Sequence, residues 1–85
     1  MVHTCNVNTD LNELIGTELL KGQQLYFHYG PLALAMKGGE ELVLENSGAL
    51  SPLMLKKVGL IQSNLLIEET AEVIHPEDGF RLSLR

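Results

Sequence analysis

A single cysteine, Cys5, stands in a chain of 85 residues, so no disulfide can form within it, and the thiol fits a reducing compartment. Tryptophan is absent, and the aromatic residues are two tyrosines and two phenylalanines. The core must therefore be built from Leu, Ile and Val. Basic residues are also scarce: six against eleven acids, for a formal charge of −5. They lie scattered at Lys21, Lys37, Lys56, Lys57, Arg81 and Arg85, whereas phosphate-binding surfaces concentrate positive charge. No apolar run approaches the eighteen or so residues that a membrane span needs, and Met1–Asp10 has neither a basic leader nor a signal-type apolar core. A cytoplasmic protein without a membrane segment is the expectation.

Catalytic signatures are missing too. There is no HExxH, no paired CxxC and no nucleophile elbow. Lys37-Gly38-Gly39-Glu40 holds glycines, but acidic residues follow where a phosphate would want amides and positive charge. No cofactor is expected.

What the chain does have is 45% hydrophobic residues, enough for one core and too many for disorder. A single compact domain over residues 1–85 is expected, burying about 60–65% of its extended surface. So much aliphatic surface on so small a body favours self-association.

Residues Met1–Thr9 read as an arm or edge strand. Asp10 is placed to cap a helix of about ten residues, with Glu13 three positions on and Gly22 as its stop. Gln24–Tyr29 alternates as a strand, Leu25, Phe27 and Tyr29 on one face and Tyr26 and His28 on the other. Leu32, Leu34 and Met36, then Leu42 and Leu44, flank Gly38–Gly39 with a period of two, which predicts a β-hairpin. Ser51-Pro52 predicts a helix start, with Leu53–Val58 as a body of about two turns before Gly59, and an irregular strand is the alternative. Leu60–Ile74 fits strand and helix alike. His75-Pro76-Glu77-Asp78-Gly79 is a turn, followed by a strand with Phe80, Leu82 and Leu84 on its dry face and Arg81 and Arg85 on the other.

The fold class read from this pattern is α+β and β-rich: an N-terminal helix with a small, strongly bent antiparallel sheet closing toward a barrel. An open sheet with helices on one face is the second arrangement.

Function is expected to lie in an interface: a small protein-binding or regulatory module, self-associating or held by a protein partner, with Tyr26, Tyr29, Lys56, Lys57 and Arg81 as candidate binding surface. One alternative is an oligomeric enzyme or ligand carrier with an intersubunit site near His28, in which Tyr26 supports His28 as an acid–base group. The other is a small nucleic-acid-binding barrel that stacks bases on its aromatic rings, which the net charge opposes. Metal candidates are Met1, His3 and Cys5. His3 and Cys5 form a sparse soft-ligand pair, and Met1-Val2-His3 fits the square-planar amino-terminal motif for Cu(II) or Ni(II). Glu68, Glu69 and Glu72 are candidates to meet Glu40, Glu41 or Glu45 around a cation, against the plainer reading of solvated charge.

Overall fold

The computed structural model describes residues 1–67 and 70–85. The chain begins with strand β1 (Val2–Thr4), then a short helix α1 (Leu11–Ile15), a hairpin of β2 (Gly16–Lys21) and β3 (Gln24–Tyr29), and helix α2 (Pro31–Gly38). Strand β4 (Glu41–Glu45) follows, then a 3-10 turn at Ser47–Ala49 and helix α3 (Pro52–Ile61). A hairpin of β5 (Leu65–Ile67) and β6 (Glu72–Ile74) and strand β7 (Arg81–Leu84) complete it.

Strands β1, β4 and β7 form one parallel sheet with β4 in the centre, while β2–β3 and β5–β6 are separate antiparallel pairs. None of the three sheets closes or curls strongly, which corrects the expected bent antiparallel sheet closing toward a barrel, and the chain opens on a strand rather than a helix. The physical reason lies in the connections. Parallel neighbours require long crossovers, and here each crossover carries a helix and a hairpin of its own.

The predicted hairpin at Gly38–Gly39 is corrected as well. Its first half is helix α2, with Pro31 at the first turn and Gly39 closing it in the left-handed region at φ 65°. Leu32, Ala33, Ala35 and Met36 are all buried while Leu34 is exposed. That spacing wraps one side of a helix, and two alanines with no β-branched residue favour it. Only the second half, Glu41–Glu45, is a strand, buried at Leu42, Val43 and Leu44.

The N-terminal helix is half as long as expected. Asp10 Oδ1 accepts from the Glu13 amide at 2.9 Å, as an N-cap should, but the helix ends at Gly16, φ 132°, where the chain turns directly into β2. Leu19 therefore sits on an exposed hairpin and not on a helix face. Gly22, expected to stop the helix, is instead the first of two loop residues between β2 and β3, at φ 65°. A two-residue hairpin loop favours glycine there.

Other elements follow the sequence closely. Ser51 Oγ accepts from the Met54 amide at 3.1 Å, capping α3, though the helix runs through Gly59 to Ile61. Leu65–Ile67 and Glu72–Ile74 are strands paired with each other, which resolves that part of the ambiguous stretch.

The buried cluster comprises Cys5, Leu14, Leu32, Ala33, Ala35, Met36, Leu42, Leu44, Leu50, Val58, Leu65, Ile67 and Ile74. It lies on one side of the parallel sheet. Register aligns His3 with Leu44 and Leu84, and Leu42 with Leu82, on that side. The other side carries Val2 and Ser83 beside Val43, Thr4 beside Glu45, and Arg81 beside Glu41. Val43 is 7% exposed, yet it is no member of the core cluster. Chain topology explains the asymmetry. Both crossovers step in the same direction across the sheet, and right-handed crossovers that do so lie on the same face.

At the amino ends of β4 and β7 the backbone comes very close. A Cβ on Gly79 (φ 97°) would stand 2.6 Å from the Gly39 carbonyl oxygen, and one on Gly39 would meet the Asp78 oxygen. Only glycine fits at that crossing.

Candidate functional site

All-parallel sheets are ordinarily covered on both faces by helices. Here the face built from Val2, Thr4, Glu41, Val43, Glu45, Arg81 and Ser83 has the helices of this chain on its far side. Its centre is apolar, Val43 beside the exposed Val2, and its border is charged. Glu41 Oε2 accepts from Ser83 Oγ at 3.0 Å across the β4–β7 pair.

The carboxyl edge of the sheet is stitched together by side chains. Asn46, at φ 58°, donates from Nδ2 to the Cys5 carbonyl oxygen at 2.9 Å, tying β1 to the end of β4. The amide and hydroxyl of Ser47 both donate to the Arg85 carbonyl oxygen, at 2.7 and 3.0 Å, tying β4 to β7. Glu45, the last residue of the central strand, is exposed at this edge. Open α/β sheets bind ligands at the carboxyl ends of their strands.

The residues singled out from the sequence are dispersed. Tyr26 and His28 share a face of the β2–β3 hairpin, as expected. The Tyr26 hydroxyl donates to Gln24 Oε1 at 2.5 Å, and His28 is exposed on the wall of a shallow cavity of about 420 Å³ with His3, Glu13 and Thr17. Lys56 and Lys57 are exposed on α3 and Arg81 on β7, and no hydrogen bond or ion pair links them to either tyrosine among the described residues.

The metal candidates are engaged elsewhere. The Met1 amine donates to the Glu41 carbonyl oxygen at 3.2 Å, and His3 Nε2 pairs with Glu13 Oε2 at 2.8 Å. Cys5 is buried, and that burial raises its thiol pKa, with the nearby Glu13 charge adding to the effect. Among the described residues no three His, Cys, Asp or Glu side chains gather in metal-binding geometry. The candidates Glu68 and Glu69 lie outside the described residues. No helix among the described residues is long and apolar enough to cross a membrane.

One cluster escaped sequence reasoning. The Tyr29 hydroxyl donates to Glu72 Oε1 at 2.5 Å, Lys37 Nζ donates to Glu72 Oε2 at 3.0 Å, and the same ammonium lies 4.4 Å from the Tyr29 ring centre. Tyr29 also packs edge-on against Phe27, ring centres 5.3 Å apart. The hydrogen bonds from Tyr29 and then Lys37 lower the Glu72 pKa, and those with Glu72 and then Tyr29 raise that of Lys37. The cluster clamps β3, α2 and β6 together. Its members are up to 43 residues apart, and no local pattern signals their meeting.

No family model matches the sequence. Midasin of Giardia intestinalis is 36% identical to it over 81 residues, a match that takes in 88% of this chain. The chain spans 2% of that protein's length.

Proposed function

We propose that this chain is a protein-binding unit, and that its interface is the parallel-sheet face opposite its own helices. The observation that carries this reading is the position of Val43. It sits at the centre of a parallel sheet, points away from the core cluster and has exposed Val2 beside it. A helix or strand layer from a partner would give the sheet the second cover that parallel sheets ordinarily have. The similarity to a stretch amounting to 2% of Midasin supports a role as one part of a larger body.

Native mass spectrometry of the untagged protein from its source cells tests this. The expected species exceeds the 9.4 kDa chain by the mass of a second polypeptide and loses it on Val43→Arg. A bare monomer, or a partner indifferent to Val43→Arg, overturns the reading.

A second reading is favoured by Glu45. An exposed carboxylate where the buried run Leu42-Val43-Leu44 ends, at the carboxyl edge of the sheet, suits a divalent ion carried by a phosphate ligand. The phosphate-binding loop would then come from outside this sequence, which holds none.

A further inference from the structure

We propose that β7 is the edge at which the sheet is extended, and that it accepts in parallel a partner strand whose apolar residues alternate with acidic ones. The inference rests on the reading that a partner completes the sheet, and it names the edge and the chemistry.

The two outer strands are not equivalent. On β1 the residue aligned with Leu44 on the helix side is His3, a polar ring held by Glu13. An inward-pointing polar or charged side chain is a common way to blunt a sheet edge against further pairing. On β7 the corresponding positions are Leu82 and Leu84, half-buried and 51% exposed respectively. That apolar row continues past β4 and stops unfinished at the edge.

The backbone of β7 is ready for pairing. The amides of Arg81 and Arg85 donate inward to the Glu40 and Leu44 carbonyl oxygens, at 3.3 and 2.9 Å. Alternation along a strand then turns the amides and carbonyls of Leu82 and Leu84 outward. Among the described residues β7 pairs with β4 alone.

Charge selects the incoming sequence. Arg81 aligns with Glu41, and extending the register by one residue sets Arg85 beside Glu45. Both arginines are exposed, and neither has an ion-pair partner within 4.0 Å among the described residues. They stand four residues apart, about 13 Å along a strand. A partner strand with carboxylates at that spacing and apolar residues between them would repeat the pattern of β4, Glu41-Leu42-Val43-Leu44-Glu45, on the other side of β7. A second copy is a poor occupant. Pairing β7 with its own twofold mate about Ser83 would set Arg81 against Arg85, and like charges directly opposite destabilise.

The test uses the whole chain and a synthetic peptide reproducing residues Gly39–Ser47, with amide exchange followed residue by residue by NMR. The expected result is that exchange at Leu82 and Leu84 slows about tenfold at saturating peptide while Val2 and Thr4 are unchanged. A peptide with both Glu41 and Glu45 replaced by Lys should give no protection. Protection at Val2 and Thr4 instead, equal protection by the lysine peptide, or none up to the solubility limit overturns the proposal. If native mass spectrometry still finds a partner released by Val43→Arg, such a failure removes only the edge assignment. A bare monomer there removes the partner reading itself.

Discussion

Replacing Val43 by threonine changes shape very little and adds one hydroxyl, which makes it a probe of whether water reaches the sheet face. Val43 and Leu44 are neighbours on β4 and point to opposite faces. Leu44 has no exposed surface and belongs to the core, so Leu44→Ala should cost about 2–5 kcal/mol in lost burial and residual cavity. Against a total stability of roughly 5–15 kcal/mol, with a small domain toward the low end, that is enough to leave the fold marginal. Val43 is 7% exposed, so Val43→Thr should cost about 1 kcal/mol in the isolated chain, less than Leu44→Ala because it leaves no cavity, whereas a hydroxyl fully sealed and unpaired beneath a partner layer costs about 1–3 kcal/mol. Urea unfolding followed by circular dichroism separates the two variants, since for a domain of this size the same energies correspond to melting shifts of about 4–8 °C per kcal/mol. In the assembled state the ranking should change, with Val43→Thr weakening partner affinity by about five- to a hundredfold. If Val43→Thr destabilises the isolated chain as much as Leu44→Ala, the face is covered from within and the reasoning fails.

Gly79→Ala should destabilise by several kcal/mol, because the new Cβ meets the Gly39 carbonyl oxygen at 2.6 Å from a backbone at φ 97°, and thermal unfolding reads it directly. Glu72, with its pKa lowered, contributes stability above the ordinary carboxylate range, and that contribution is lost as pH falls through its depressed value. Lys37, with its pKa raised, contributes below the ordinary lysine value and loses that contribution as pH rises through the raised one. Both groups are more than one-third exposed, so solvent screening keeps the pair under about 1 kcal/mol; Glu72→Gln should flatten the acid limb of stability against pH by that much, and an unchanged limb would refute the clamp. Asp10→Ala should cost about 1 kcal/mol through loss of the cap on α1, again by urea unfolding. On the second functional reading, Glu45→Gln in the partnered protein should lower affinity for a magnesium–nucleotide at least about tenfold by calorimetry, and an unchanged affinity would dismiss that role.

Local chemistry was legible in the sequence where a single residue decides an outcome. Ser51 with Pro52 marks the start of α3, Asp10 marks the cap of α1, and the alternation of Leu25, Phe27 and Tyr29 with Tyr26 and His28 gives the faces of β3. The errors arise where period and propensity disagree. Pro31–Gly38 has apolar residues at a spacing of two, but its alanines sit at positions that let a helix bury Leu32, Ala33, Ala35 and Met36 together. Thr17–Lys21 has apolar residues that continue the helical stripe of Leu11–Ile15, yet Gly16 at φ 132° turns the backbone into a strand. The parallel sheet was invisible for a different reason. Its partners are some forty residues apart in the sequence, and the stretches between them carry their own local hairpins, which a local reading counts as the sheet. The Val43 face was hidden with it, since only the register of β1, β4 and β7 shows that Val43 and Leu44 serve different neighbours.

The topology also separates what stabilises this chain from what remains for a partner. The crossovers place α1, α2, α3 and both hairpins where they can build one core, and Leu42 and Leu44 anchor the sheet to it. Covering the opposite face would require a connection that steps back across the sheet, and the strand order β1-β4-β7 contains none. A doubly wound sheet acquires its second helical layer at such a reversal, and its ligand crevice opens at the same point, at the carboxyl ends of the strands. Both functional readings therefore converge on one missing neighbour. A strand added beside β7 would turn its apolar row toward the helices of this chain, and a further partner connection that steps back across the sheet would place a helix over Val43 and bring its loop to the edge where Glu45 ends. Partner binding and ligand binding should then appear together, so a partnered complex stripped by Val43→Arg should lose nucleotide affinity in the same titration. Nucleotide bound equally well by the lone chain would break that link and leave Glu45 as a solvated charge.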